Sequence, residues 1–232
     1  RTSSAASDVY KRQALPLQLD DYAVFSSFLS DGNEVIVATL SDIAAGHGSY
    51  GCWIWGGEAT GKTHLLQATC EAAGDRAIYI PLKSLIKIGP KILDDLANRE
   101  LICIDDLDLV VGHSEWETAL FNLYNQIFGQ NRQLIVSANT SPRLCSIELS
   151  DLQSRLMRLP VFQIKSLDEN LRISALQLRS NQRGVELPIS TAKFLLKRSR
   201  RDMTSLYEVL DQLDKEGLRA KRRLTIPFAK KV

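Results

Sequence analysis

The stretch Gly56-Gly57-Glu58-Ala59-Thr60-Gly61-Lys62-Thr63 satisfies the pattern G-x-x-x-x-G-K-[ST] at every position. It lies between a short apolar run, Tyr50 to Trp55, and a helical pattern that begins at about Lys62. No other feature restricts the fold so much. A glycine-rich turn between strand and helix lets backbone N–H groups converge on phosphate oxygens at a helix N-terminus, where the dipole also favours an anion. In such a loop Lys62 reaches the β- and γ-phosphates and the Thr63 hydroxyl binds Mg²⁺. The whole run from Gly56 to Thr63, with the adjoining His64, is therefore expected to contact nucleotide. A purely structural glycine turn is the plain alternative, and the flanking strand and helix argue against it.

A strand, loop and helix of this kind need further strands beside them, and the chain supplies them. Ala77 to Pro81, Leu101 to Ile104 and Leu134 to Ser137 have the length and β-branched content of buried parallel strands, with Val161 to Lys165 as a last one. Helical patterns fall between and around them: Asn33 to Ala45, Lys62 to about Gly74, and Glu115 to Phe128. The stripe Trp116, Leu120, Leu123, Tyr124 and Ile127 on the last of these is core rather than chemistry. The alternation predicts an α/β fold, a parallel sheet flanked by helices.

Beyond Val161 to Lys165 the pattern is purely helical: Asp168 to Arg183, Ile189 to Arg200 and Thr204 to Lys215. Asp168 is an N-cap type of residue and Gly184 closes the first helix. Ser180 to Val232 carries thirteen Lys/Arg against six Asp/Glu, so this segment is +7 while the remainder of a chain of net charge +2 is −5. A boundary near Ser166 divides a P-loop domain, residues 14–165, from a small all-helical lid, residues 166–232. Arg1 to Gln13 is polar, lacks an initiating Met and reads as a disordered or non-native leader.

At 232 residues and 44% hydrophobic the chain is long enough for one ordinary core and a small second domain. Its four cysteines, Cys52, Cys70, Cys103 and Cys145, are 18, 33 and 42 residues apart, which fits neither a disulfide framework nor a zinc site. They read as small apolar residues in a reducing cytosol. His47, His64 and His113 share no ligand spacing with them, so no transition metal is assigned. No window reaches the roughly 18 apolar residues of a membrane span. A cytoplasmic protein is expected.

Leu101-Ile102-Cys103-Ile104-Asp105-Asp106 is a buried-strand run ending in two acids, placed where open α/β sheets bind ligands. It reads as a Walker B motif: Asp105 holds Mg²⁺ through water, and Asp106 orients or deprotonates the attacking water. Asn139, after the strand ending Val136-Ser137-Ala138, is a candidate γ-phosphate sensor, although Asn before Thr-Ser-Pro is also a good turn former. Arg155, in the short helical run Asp151 to Leu156, is either a solvated surface residue or an arginine finger offered to a neighbouring subunit's nucleotide. Arg201, in the charge run Lys197 to Met203, is either a solvated charge or a residue that folds over the phosphates from the lid.

Together and in this order the pieces resemble an AAA+ ATPase core of the DnaA branch, and within it the Hda family. WIWGGEATGKTHLLQA, LICIDDLDLVVG, WETALFNLYNQI, DLQSRL, ALQLRSNQRGVELP, FLLKRSRRDM, LDQLD and RRLTIPF carry the likeness, over nearly everything from Leu15 onward. The resemblance implies the arginine-finger role for Arg155 and a second sensor role for Arg201. It implies ADP or ATP with Mg²⁺ as cofactors, another nucleoside diphosphate remaining open because the P-loop reads phosphates. It also implies a regulator that, tethered to the DNA-loaded sliding clamp, stimulates hydrolysis of the ATP on DnaA and leaves the initiator inactive. A homodimer or homo-oligomer is expected.

The resemblance to Hda rather than to DnaA itself implies no helix-turn-helix domain after Val232, so DNA is expected to be met indirectly. Two departures stand out. Asp105-Asp106 replaces the usual Asp-Glu with a shorter second carboxylate, which points to weak or partner-dependent ATP hydrolysis and to ADP as a long-lived ligand. The clamp-binding peptide of the family is represented only by Leu15-Pro16-Leu17, with Gln13 out of register; an extended apolar lead-in packing on the core is the other reading. Rival functions are an AAA+ helicase loader, a small-molecule P-loop kinase and a nucleotide-dependent interaction module without turnover.

Overall fold

The computed structural model describes residues 23–94, 96–198, 202–220 and 224–231. Strands β1 (Gly51–Trp55), β2 (Ala77–Pro81), β3 (Leu101–Asp105), β4 (Gln133–Ala138) and β5 (Val161–Gln163) form one sheet in the spatial order β2-β3-β4-β1-β5, with every neighbouring pair parallel. Around it run α1 (Glu34–Ala44), α2 (Lys62–Ala73), α3 (Leu82–Leu85), α4 (Ser114–Gly129) and α5 (Ser150–Leu156). The helices α6 (Glu169–Gln182), α7 (Ile189–Arg198), α8 (Met203–Ala220) and α9 (Ile226–Ala229) follow.

A parallel sheet has both faces buried, and successive strand residues divide between two cores. Cys52, Ile54, Leu101, Cys103 and Ile135 pack with Ile36 and Leu40 of α1 and Leu65 and Leu66 of α2. Trp53, Ile102, Ile104, Leu134 and Val136 pack on the opposite face with Trp116, Leu120, Tyr124 and Ile127 of α4 and Leu152 and Leu156 of α5. Each such side chain contributes about 1.5–3 kcal/mol by leaving water. At Gly51 the register with Leu134 permits nothing larger than hydrogen, because a Cβ there would lie 1.8 Å from the Leu134 carbonyl oxygen. Its φ of +143° is also one that side chains avoid.

The last strand is shorter than its apolar run suggests. After Gln163 the Ile164 N–H still donates to Trp55 O at 2.7 Å. Lys165 instead pairs with a side chain: its N–H donates to Asn33 Oδ1 at 2.8 Å, and Asn33 Nδ2 returns a bond to Lys165 O at 3.3 Å. One buried amide thus stands in for the next ladder pair and ties the start of α1 to the end of β5.

The C-terminal helices surround a core of their own, with Ile173, Leu176, Leu187, Leu195, Leu206, Leu210, Leu213 and Leu224. As the sequence suggests, Asp168 caps α6, its carboxylate accepting from Leu171 N at 2.8 Å. Between α6 and α8, Arg183 pairs with Asp211 at 2.8 Å and with Asp214 at 3.5 Å, while Arg179 reaches Asp211 at 3.2 Å and covers the Tyr207 ring at 4.2 Å. Helix α8 continues past Lys215 to Ala220, through buried Gly217; a single helical glycine costs about 1 kcal/mol, less than the packing of this apolar face. This helical unit touches the front of the chain where Gln182 Nε2 donates to Ser26 O at 2.9 Å. Among the described residues no helix is long and apolar enough to cross a membrane.

Candidate functional site

β1, β3 and β4 are adjacent and parallel, so their C-terminal ends deliver Gly56, Asp105 and Asn139 to one edge of the sheet. The loop after β1 is shaped by its own residues: Ala59 takes a left-handed φ of 56°, and the Thr60 hydroxyl donates to Gly57 O at 2.9 Å. Gly61, at φ 98°, starts α2 under the Phe28 ring, which a Cβ would meet at 2.7 Å. Lys62 is only 6% exposed. Its ammonium donates to Gly56 O at 2.8 Å, Gly57 O at 2.9 Å and Asn139 Oδ1 at 3.1 Å, which occupies all three of its protons.

Asp105, 2% exposed, is the hub. Its Oδ2 accepts from Thr63 Oγ1 at 2.7 Å and from the Tyr79 hydroxyl at 2.7 Å, and its Oδ1 accepts from Ser137 Oγ. Ser137 Oγ in turn accepts from Asp106 N at 2.9 Å, so one hydroxyl spans both acids. Burial first, and then the Asp105 charge, push the Tyr79 phenol well above its ordinary range. Asp106 sits in a left-handed conformation, φ 58° and ψ 47°, and half-buried. Burial raises its carboxyl pKa, the Asp105 charge adds to the effect, and Lys62 opposes it.

Asn139 is fixed from both sides. Its backbone N–H and side-chain Nδ2 donate to Asp108 at 3.1 and 2.6 Å, while its Oδ1 faces Lys62. The Trp53 indole, donating to Thr140 O at 3.0 Å, anchors the turn that follows. Lys62, Thr63, Asp105, Asp106 and Asn139 therefore come together in one cluster. Tyr79, Ser137 and Asp108 join it without any spacing that announces them; for Tyr79 and Ser137 the available sign is a polar group in the C-terminal half of an otherwise apolar strand, and Asp108 in the turn after β3 carries none.

His64 places its side chain elsewhere. Nε2 lies 3.0 Å from Val24 O and 3.1 Å from Ser27 Oγ, and the ring meets Phe28 at 5.6 Å between centroids. Its imidazole holds the 23–28 segment, so what His64 can offer a phosphate is its backbone N–H in the first turn of α2.

Arg155 stands on α5, partly exposed, and its side chain has no hydrogen bond or ion pair among the described residues. It lies near Tyr124, whose phenol is raised by burial while Arg155 and Arg158 pull it down. Its helix is aimed by a buried acid: Glu117, 1% exposed, accepts from Gly112 N at 2.8 Å, Glu148 N at 3.1 Å and Leu149 N at 2.6 Å. Arg201, the leader Arg1 to Gln13 and Leu15-Pro16-Leu17 lie outside the described residues.

The family model for the lid domain of Hda matches residues 168–232, and that for the bacterial DnaA ATPase domain matches residues 89–160. A Haemophilus influenzae protein described as uncharacterized is 40% identical over 226 residues, covering 96% of this chain and 98% of its own. Domain III of the Thermotoga maritima replication initiation protein DnaA superposes with a TM-score of 0.75 at 22% identity, over 91% of this chain and 95% of that one. AMPPCP-bound DnaA from Aquifex aeolicus superposes with a TM-score of 0.68 at 21% identity, over 86% and 67%. The two family models and the shared fold agree: the chain belongs to the Hda/DnaA-related AAA+ proteins.

Proposed function

We propose that this chain is a nucleotide-dependent regulator of replication initiation. In this reading it binds ADP or ATP with Mg²⁺ at the Lys62 cluster and, together with the DNA-loaded sliding clamp, stimulates hydrolysis of the ATP bound to DnaA. The observation that carries the nucleotide half of this reading is the meeting of Lys62, Thr63, Asp105, Asp106 and Asn139 at one edge of the sheet.

Lys62 exchanges the loop carbonyls for phosphate oxygens, and backbone N–H groups from Gly57 to His64 take the rest of the anion. The donor set fits Mg²⁺: Thr63 and Asp105 offer hard oxygen donors. When bound, that ion neutralises charge on the phosphate oxygens. Asp106 orients the attacking water and Asn139 reads the terminal phosphate.

Among the described residues the Arg155 side chain has no hydrogen bond or ion pair; in this reading it is offered to the nucleotide of DnaA, where a guanidinium stabilises the transition-state charge by about 10³–10⁵ in rate. Arg201 from the lid as second sensor, Leu15-Pro16-Leu17 as clamp-binding peptide, indirect contact with DNA, and self-association as a dimer or oligomer rest on the family likeness. A domain boundary near Ser166 is supported by the separate core of α6 to α9.

The test is conversion of DnaA-bound ATP to ADP by this protein with DNA-loaded clamp, comparing wild type with Arg155→Ala. Large stimulation that the substitution abolishes supports both the role and the residue. A wild-type protein that binds nucleotide and clamp but leaves the DnaA-bound ATP intact sinks the proposal.

A further inference from the structure

We infer that Tyr79 is a positioning residue for the divalent cation of the nucleotide site, acting by fixing which oxygen of Asp105 remains open to a metal-bound water. The inference rests on the nucleotide reading above and extends it to a residue on a neighbouring strand.

An ionised carboxylate has about four acceptor sites. Three on Asp105 are filled by hydroxyls from three elements: Thr63 of α2 and Tyr79 of β2 on Oδ2, and Ser137 of β4 on Oδ1. Oδ2 is thereby full, and the open acceptor direction is on Oδ1. The Tyr79 hydroxyl that donates to Asp105 also has the Gln67 side chain beside it, which favours its ionised form. Gln67 is buried on α2, close after Thr63. Gln67, Tyr79, Asp105 and Thr63 thus cluster where α2, β2 and β3 meet.

Removing the Tyr79 hydroxyl leaves Oδ2 with Thr63 alone. The terminal torsion of an aspartate is soft, so with only Thr63 and Ser137 left to hold it the carboxylate samples a wider range of orientations and presents its open oxygen less sharply. Partners that orient a ligating group behave this way: their loss typically costs about 10–100-fold in metal affinity. A residue that merely fills the core would instead lower stability and weaken every ligand alike.

The experiment is a titration of ADP binding with a fluorescent ADP analogue, in EDTA and across a range of Mg²⁺, for wild type and Tyr79→Phe, with thermal unfolding of the nucleotide-free proteins alongside. The expected result is unchanged affinity in EDTA and a Mg²⁺ midpoint raised about tenfold or more. Equal weakening with and without Mg²⁺, or an unshifted midpoint, overturns the inference. If Tyr79→Phe fails to fold, Gln67→Leu, which frees the same hydroxyl from its other partner, must raise the midpoint in the same direction, and an unshifted midpoint there overturns it equally. A wild-type protein that binds no ADP at any Mg²⁺ concentration overturns the nucleotide reading itself, and this inference with it.

Discussion

Asp108 takes both nitrogens of Asn139, the backbone N–H at 3.1 Å and the side-chain Nδ2 at 2.6 Å. Only the Asn139 amide oxygen is left to face the Lys62 ammonium. To donate to a terminal phosphate, Asn139 must first give up a hydrogen bond to a charged group, worth about 1.5–3 kcal/mol. Asp108→Ala releases the amide and removes a negative charge beside the phosphate site. Its affinity for ATP relative to ADP should rise about tenfold, and equilibrium binding of the two nucleotides checks it; an unchanged ratio would refute the restraint.

Lys62→Ala removes the ammonium at the centre of the cluster and strands the carbonyls of Gly56 and Gly57. Wild-type protein in ADP at about a hundred times its Kd should gain about 2.7 kcal/mol, or roughly 5–10 °C in Tm for a chain of this size. The variant should show no ADP-dependent shift and a lower Tm without ligand. A shift of wild-type size in Lys62→Ala contradicts the placement of phosphate at this lysine.

Asp106 has its carboxyl pKa raised in the fold, by burial and then by Asp105. The folded chain therefore binds that proton more tightly than the unfolded chain, and ionised Asp106 opposes folding. This cost is absent below the unfolded pKa of about 3.9, sets in as pH rises through that value and is complete above the folded pKa. Asp106→Asn should accordingly raise Tm by a few degrees near neutral pH, with the gain shrinking on acidification. A gain that grows towards low pH would reverse the assignment.

Glu117 receives three backbone N–H groups in a fully buried position. Glu117→Ala leaves Gly112, Glu148 and Leu149 without acceptors and opens a cavity, for a loss of about 3 kcal/mol or more in denaturant unfolding. Because the same bonds set the entry to α5, the proposed stimulation of DnaA-bound ATP hydrolysis should fall with it even where the variant is folded and binds nucleotide normally. A stability change within about 0.5 kcal/mol would show that other contacts hold this junction.

Arg183 joins α6 to α8 through Asp211 and Asp214 in partly buried pairs. Arg183→Ala should cost about 1–2 kcal/mol, between the values for exposed and buried pairs. Hydrogen exchange should locate the loss: faster in 169–220, unaltered in β1 and β3. Uniform acceleration through the sheet would mean that the helical unit does not open by itself.

The major elements were legible because their patterns are long and periodic. Ala77–Pro81 coincides with its apolar run, and α4 differs from its predicted span by one residue at each end. The short turns Leu82–Leu85, Pro90–Leu93, Leu96–Asn98 and Leu107–Val110 were not, since three or four residues cannot display a period. In the cluster, the phosphate loop and the paired acids were readable as local strings. Tyr79, Ser137 and Asp108 were not, because their partners lie 26, 32 and 31 residues away and only strand register brings them together. His64 shows the converse: its neighbours in sequence suggested nucleotide, whereas its ring is committed to Val24 and Ser27.

The two strands at the borders of the sheet differ from the three inside it. β5 is three residues long and follows Pro160, and β2 ends at Pro81, where the chain turns at once into α3. A border strand of three residues, and a border that stops at a proline, give an incoming strand little to pair with. The folded molecule is thus a poor seed for cross-strand aggregation, and precipitation on heating or storage should follow the population of unfolded chains. Ligands that favour the fold should suppress it in proportion to their occupancy.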